Sequence, residues 1–299
     1  MSQPQIETTT TVPIRHQSGT IRRWSAFYKR LAKNKAALVG AGVVLVFVIL
    51  AIFAPLIAPY DPKLVDMPKK LQTPSAEHWL GTDEMGRDIL SRLIFGARVS
   101  LTVGVLSTLL GAIIGVFLGI VAGYYGRAID SVIMRFCDVL LAFPGILLAL
   151  AIVSILGAST TNVIIAIAFF AIPTFARIVR GSTLSVKKLE YIDAIRAMGS
   201  SDSRIIFKHI LPNVLSPIIV QSTLYIASAI ITASALSFLG LGTQPPTPEW
   251  GAMLSDGRHL VRSSPHVTLF PGITILIVVI GFNLFGDGLR DALDPKAKK

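Results

Sequence analysis

Five stretches of the chain, 36–60, 99–126, 139–176, 210–248 and 263–286, contain no Asp, Glu, Lys or Arg. A membrane-crossing helix needs roughly 20 predominantly apolar residues. The first, second and last stretches predict one span each. The third is 38 residues long and is interrupted by GASTT at 157–161, so it predicts two spans joined by a tight turn. The fourth predicts one span and then breaks at SFLGLGTQPPTP. The expectation is an all-α integral membrane protein with six transmembrane helices, near 36–58, 99–123, 134–156, 161–180, 213–237 and 268–286. A polar stretch of 35 residues precedes the first run. A signal peptide places a 7–15-residue apolar region near its start, so this run is read as a retained span.

Composition strengthens this reading. Charged residues make up 15 % of the chain, against about 25 % in soluble domains, and the mean hydropathy is +0.66. A soluble fold of buried core helices is set aside on these grounds. With six spans, both termini share a side with the loops at 124–135 and 177–212. That side carries 20 Lys and Arg residues, against eight in 59–98 and 238–267. The positive-inside rule therefore predicts cytoplasmic termini. The net charge of +11 is mostly this asymmetry, and no nucleic-acid partner is expected.

Individual segments refine the picture. Residues 1–35 read as a cytoplasmic tail ending in an interfacial helix, with Trp24, Phe27, Tyr28 and Leu31 at helical spacing among basic residues. In the second span Gly104, Gly111, Gly115, Gly119 and Gly123 lie on nearly one face. Such spacing lets a helix approach closely in lipid, the neighbour being in the same chain or in a second subunit. Pro144, Pro173 and Pro217 fall within predicted spans and predict kinks. The single cysteine, Cys137, is a small apolar filler of the third span, and Asp138 is placed at the interface. Five histidines show no ligand spacing, so no metal site is expected.

No span carries an ionisable residue near its middle, which argues against a proton-coupled transporter or a channel built on charged rings. Nucleotide-binding, hydrolase and metalloprotease motifs are absent. The chain is therefore expected to be no enzyme and to bind no cofactor, with no visible energy source of its own. The loop 59–98 balances six basic with six acidic residues. Its most polar cluster is Thr82, Asp83, Gly86, Arg87 and Asp88. Two roles stay open for it: docking an extracytoplasmic partner, or holding the loop on the bundle, with Arg87 and Asp88 paired to each other or to a partner.

Between the fourth and fifth spans lies EYIDAIRAMGSSDSRIIFKHILPN, residues 190–213. Tyr191, Ala194, Ile195 and Met198 follow i, i+3, i+4, i+7, an apolar helical stripe, with Glu190, Asp193 and Arg196 on the other side. Gly199 is placed to end that helix in a left-handed conformation. Ser200 or Ser201 then caps a second helix, with Asp202 favourable in its first turn. Ile205, Ile206, Phe207 and Ile210 are its apolar positions, and Pro212 opens the fifth span. Such a hairpin either docks into a partner or lies on the bilayer surface.

The stretch resembles the EAA loop of membrane subunits of ATP-binding-cassette importers. Asp193-Ala194-Ile195 stand where that motif has Glu-Ala-Ala, Gly199 is its glycine, and His209-Ile210-Leu211-Pro212 stand for its I-x-L-P. Three positions depart from the motif while the spacing holds. HWLGTDEMGRDILSRLIFGARVSL (78–101), SFLGLGTQPPTPEWGAML (237–254) and FNLFGDGLRDALDPK (282–296) resemble the C-type permease subunit of dipeptide, oligopeptide and nickel importers. The resemblance runs from about residue 20 to the C-terminus.

It implies a type I ABC importer permease fold in a bacterial inner membrane. On this division, residues 36–98 are the first span and an extracytoplasmic loop. Residues 99–290 are a five-helix core with the coupling loop at 190–212, and 291–299 are a cytoplasmic tail. The implied partners are a homologous B-type permease, two cytoplasmic ATPase subunits that carry ATP and Mg, an extracytoplasmic substrate-binding protein and the lipid bilayer. The coupling residues would be Glu190, Tyr191, Asp193, Ala194, Ile195, Met198, Gly199, Ser200, Asp202 and Pro212. Dipeptides or short oligopeptides are the expected solute, with glutathione, nickel or another small solute as the alternative. A stand-alone channel or scaffold would not need the hairpin, and an intramembrane hydrolase would need facing polar groups that the spans lack.

Overall fold

A computed structural model describes residues 30–293. Of the segment expected to form an N-terminal interfacial helix, residues 30–33 fall among them and are helical. The stripe from Trp24 to Tyr28 and most of the C-terminal tail lie outside the described residues. Among the described residues nine helices organise the fold: α1 (Lys35–Ile52), α2 (Ile89–Tyr125), α3 (Arg127–Leu141), α4 (Gly145–Leu156), α5 (Thr160–Lys187), α6 (Glu190–Ala197), α7 (Leu211–Phe238), α8 (Trp250–Gly257) and α9 (His266–Leu293). Single turns at Ala54–Ile57, Met67–Lys69 and Arg258–Leu260 decorate the connections. Among the described residues, five helical stretches are long and apolar enough to cross a membrane, six if the bent pair α3–α4 counts as one span.

The second span is longer than its apolar run. α2 starts at Ile89, ten residues before the predicted boundary, and its 37 residues extend about 55 Å. The extension takes in Arg92 and Arg98, whose charges made it read as loop. Arg98 instead donates from Nε to the Ala51 carbonyl (3.0 Å) and from Nη2 to that of Ile52 (3.1 Å). Those carbonyls lie at the open C-terminal end of α1, where a cation is favourable. Asp88 caps α2, accepting from the Ser91 amide at 2.8 Å.

The glycine face of α2 packs against α5 of the same chain, which resolves the open choice of neighbour. A Cβ built on Gly111 would lie 2.3 Å from Ala171 Cβ, and one on Gly115 2.6 Å from the Ile172 carbonyl oxygen. One on Gly119 would lie 2.6 Å from the Ala176 carbonyl oxygen, and one on Gly123 2.8 Å from Thr183 Cβ. Gly104 faces Ile230 of α7 instead. A second close approach joins α1 to α9, where Gly40 abuts Gly281 and Gly288 abuts Ala37.

The third predicted span, 134–156, is not one continuous helix. It is two helices, α3 and α4, meeting at 87°. Pro144 explains the break. It disfavours helical geometry at Phe143 and itself precedes the first residue of α4, so it lies between helices rather than inside one. α4 has 12 residues, about 18 Å, which is shorter than the bilayer core. α3 is fastened across α5 by Asp138–Arg177 (2.5 Å) and by Asp130–Arg180 (Oδ2–Nη2 2.6 Å). Its Cys137 is buried. Pro173 and Pro217 do lie inside α5 and α7, and Pro271 lies inside α9.

Candidate functional site

At one end of α2, the segment after α5 folds into a hairpin held to the bundle. Lys188 and Leu189 turn the chain out of α5 into α6. Gly199 adopts φ +80°. The Gly199 amide donates to the Arg196 carbonyl (3.0 Å) and the Ser200 amide to that of Ile195 (3.3 Å). These two bonds are the glycine-terminated helix stop expected at this position. The second arm is not a separate helix. Asp202–Ile205 forms one α-turn, Ile206–Ile210 a π-turn in which the Leu211 amide reaches the Ile206 carbonyl, and the chain continues into α7. Pro212 therefore sits in the first turn of α7 and does not open the helix. It has no N–H for the Lys208 carbonyl, and a widened turn is one way for a helix to absorb that loss.

The underside of the hairpin is apolar. Ile192, Ile205, Ile210 and Val214 are fully buried with Val179 of α5 and Ile120 and Tyr124 of α2, and Ile195 is half-buried beside them. The predicted stripe is thus divided. Ile192 and Ile195 face the bundle, whereas Tyr191, Ala194 and Met198 face outward with Glu190 and Asp193. Met198 is 76 % exposed and Phe207, from the other arm, 69 %. Gly199 and Asp202 are also exposed, Pro212 lies on the outer side of α7, and Ser200 is half-buried. No atom lies within 4 Å of a Cβ built on Gly199, so the tip of the hairpin is open.

Polar contacts converge on Tyr124, a residue the sequence did not single out. Its hydroxyl donates to Asp202 Oδ1 at 2.6 Å, and its carbonyl accepts from Lys187 Nζ. The Lys187 ammonium lies 5.5 Å and the Arg196 guanidinium 5.8 Å from its ring centre. Arg196 in turn pairs with Asp193 at 3.2 Å. In the first turn of α7, Asn213 Nδ2 donates to the His209 carbonyl at 2.6 Å and to the Tyr191 hydroxyl of the first arm at 3.3 Å.

At the other end of α2, the loop before it closes over a buried ionic knot. Thr82, Asp83, Arg87 and Asp88 are all buried. Arg87 and Asp88 do not pair with each other. Arg87 Nε binds Asp83 Oδ2 at 2.6 Å. Asp88 Oδ1 faces His78 Nδ1 at 2.9 Å, while Oδ2 accepts from the Ser91 amide and hydroxyl. Arg92 of α2 lies between Asp83 (3.5 Å) and Asp256 of α8 (3.6 Å), and Arg87 is also 3.6 Å from Asp256. Burial pushes the Asp256 carboxyl above the usual carboxylate range, against the pull of Arg92 and Arg87. Gly86, at φ +72°, presses on the Asp66 carbonyl, where a Cβ would lie 1.7 Å away. The cluster's side chains thus point inward, and the face that the loop turns to solvent is built by other residues, such as Met85 and Trp79.

A helical membrane bundle with a projecting hairpin before its penultimate long helix is the architecture of ABC importer permeases. The fold matches a subunit of the methionine ABC transporter MetNI in an inward-facing conformation, with a TM-score of 0.55. That match is 19 % identical and covers 69 % of this chain and 98 % of that one. An amino acid ABC transporter solved with histidines gives a TM-score of 0.53 at 14 % identity over 68 % of this chain and 95 % of that one.

Residues 115–299 match the family described as binding-protein-dependent transport system inner membrane component. Residues 22–74 match the N-terminal TM domain of oligopeptide transport permease C. The chain belongs to this family, and within it to the dipeptide/oligopeptide type of ABC permease. The dipeptide transport system permease protein DppC of Alkalihalophilus pseudofirmus is 52 % identical over 96 % of this chain and 94 % of its own length. The glutathione transport system permease protein GsiD is 48 % identical in Pectobacterium atrosepticum, over 96 % of both chains. In Escherichia coli it is 51 % identical over 92 % of this chain and 91 % of its own length. The protein is thus a multi-pass permease subunit of a bacterial inner membrane, working with ATPase and substrate-binding components.

Proposed function

We propose that this chain forms half of the translocation pathway for dipeptides or short oligopeptides, and that residues 190–212 transmit ATP-driven motion to it. In this reading a homologous B-type permease supplies the other half. Two cytoplasmic ATPase subunits hold ATP and Mg, and this chain binds neither. Both termini and the hairpin face the cytoplasm in this reading, which the excess of Lys and Arg on that side supports. The knotted loop and α8 then face outward, where a substrate-binding protein docks. The solute class rests on the relative named for dipeptide transport. Those named for glutathione transport favour glutathione as the second reading.

The observation that carries the proposal is the exposed outer face of an otherwise tightly seated hairpin. Met198 and Phe207 project from a base of buried isoleucines. Large exposed apolar side chains rimmed by charges suit a contact with a protein or a membrane, and on the outer face of a projecting hairpin they are assigned here to the ATPase. Glu190, Asp193, Arg204 and Lys208 supply that rim.

Gly199→Val tests it. A Cβ at this position meets nothing within 4 Å, so the main cost is the left-handed backbone, about 1–2 kcal/mol. Normal membrane abundance, weakened co-purification of the ATPase and lost uptake are expected, and Asp193→Lys should act alike by reversing charge at the contact. Normal uptake by both variants would reduce the hairpin to a surface anchor.

A further inference from the structure

Besides its apolar seat on α2 and α5 and the bond from Asn213 of α7 to Tyr191, the hairpin has three attachments, and they differ in stiffness. Its first arm leaves α5 through the short link Lys188–Leu189. Its second arm joins α7 only through the π-turn Ile206–Ile210, the kind of interruption at which helices give. The third attachment is lateral, to α2. Tyr124 lies one residue before the end of that helix, and its hydroxyl reaches Asp202, the first residue of the second arm, at 2.6 Å. Its ring also lies beneath Lys187 before the first arm and Arg196 within it. Arg196 carries the contact on to Asp193, on the outer face.

α2 receives this strap and, unlike α5, α7 and α9, has no proline inside it. It is one unbroken helix of 37 residues, and its glycine face is pressed on α5 at four successive turns. At its far end, Asp88 caps it and Arg92 enters the buried knot with Asp83, Arg87 and Asp256. The same rod therefore begins in the extracytoplasmic knot and ends on the hairpin.

We propose that Tyr124 is a positioning residue that ties the coupling hairpin to α2, so that the hairpin moves with α2 and the outer loop rather than with α7. The inference rests on the proposed function of residues 190–212 but is separable from it. The hairpin would still dock without the Tyr124 hydroxyl, because Met198 and Phe207 stand exposed on its outer face. What would be lost is the transfer of motion. A hydrogen bond from a hydroxyl to a carboxylate, partly shielded from water, is among the stronger ones in proteins.

The test uses the complete importer in proteoliposomes, with partner permease, ATPase subunits and binding protein. Solute imported and ATP hydrolysed are measured together for Tyr124→Phe, Asp202→Ala and the double variant. Tyr125→Phe, which changes the neighbouring exposed tyrosine, is the control. Tyr124→Phe keeps the ring and removes only the hydroxyl. The expected result is full retention of the ATPase subunits and a fall of about tenfold in solute imported per ATP. Asp202→Ala should show the same fall and the double variant no further one, because both remove one bond. Gly199→Val gives the contrasting signature of failed docking, with the ATPase itself lost.

A wild-type ratio in Tyr124→Phe would overturn the proposal. So would losses that multiply in the double variant, which would make the two residues independent. Loss of the ATPase from Tyr124→Phe would make the tyrosine a structural fastener and would overturn it as well.

Discussion

Gly115→Ala probes the contact on which the bundle's geometry depends. The added Cβ would lie 2.6 Å from the Ile172 carbonyl oxygen, 2.6 Å from Phe175 Cβ and 3.1 Å from the Ala176 amide. All three are backbone or Cβ atoms, so no side-chain rotation relieves the overlap. Moving the contact from 2.6 Å out to 3.4 Å separates α2 from α5 by about 0.8 Å. A gap of that size forfeits roughly a quarter to a half of each dispersion contact along the seam. In lipid, packing of this kind is what holds helices together, and a helix contact is worth about 1–2 kcal/mol.

Spread over a bundle of this size, that loss lowers the thermal midpoint of the purified subunit by roughly 2–8 °C. Gly115→Leu should lower it further and reduce assembly. Gly42→Ala, on an exposed face of α1 with nothing within 4 Å, is the control and should melt as wild type. The assay is loss of the monodisperse peak in size-exclusion chromatography after heating. A wild-type midpoint for Gly115→Ala would refute the claim that the glycines set the spacing between α2 and α5.

Two further outcomes follow from the ends of α2. With the single native cysteine buried, Lys70→Cys and Arg258→Cys should react with an impermeant thiol reagent in intact cells and Ser203→Cys should not; the reverse pattern would invert the topology. Asp83→Ala should cost about 3–5 kcal/mol, because it leaves Arg87 and Arg92 buried with only the more distant Asp256, whereas Glu77→Ala, which breaks the exposed pair with Lys69 at 2.5 Å, should cost under about 1 kcal/mol; equal thermal shifts for the two would contradict the buried-knot description.

Much of the bundle was legible because lipid imposes a simple rule. A spanning helix must be apolar along its length, so the runs themselves marked the approximate place of the five long helices. The rule failed where charge was neutralised locally. Arg92 and Arg98 made the start of α2 look like loop, yet one is held in the ionic knot and the other caps α1. It failed again at 134–156, where an almost unbroken apolar run concealed a right-angled bend at Pro144.

The glycine period announced a close contact but carried nothing about its partner, since the opposing surface is built from backbone and small side chains of α5. In the hairpin, Gly199 and the spacing around it were readable because a left-handed helix stop demands glycine. The division of its apolar residues was not. Ile192 and Met198 are equally apolar, and only the docking of α6 on Ile120, Val179 and Tyr124 decides which faces out. Tyr124 had no local signature, because a tyrosine at the end of an apolar run reads as an interfacial aromatic.

The central claim is that the outer face of the hairpin touches the ATPase. Photocrosslinking from a reactive side chain placed at position 198, and separately at 207, in the assembled importer tests it most directly. Position 85, exposed at the opposite end of the molecule, serves as the control. Adducts with the ATPase subunit are expected from 198 and 207 and none from 85. An assembled, transporting complex that gives no ATPase adduct from either hairpin position would contradict it.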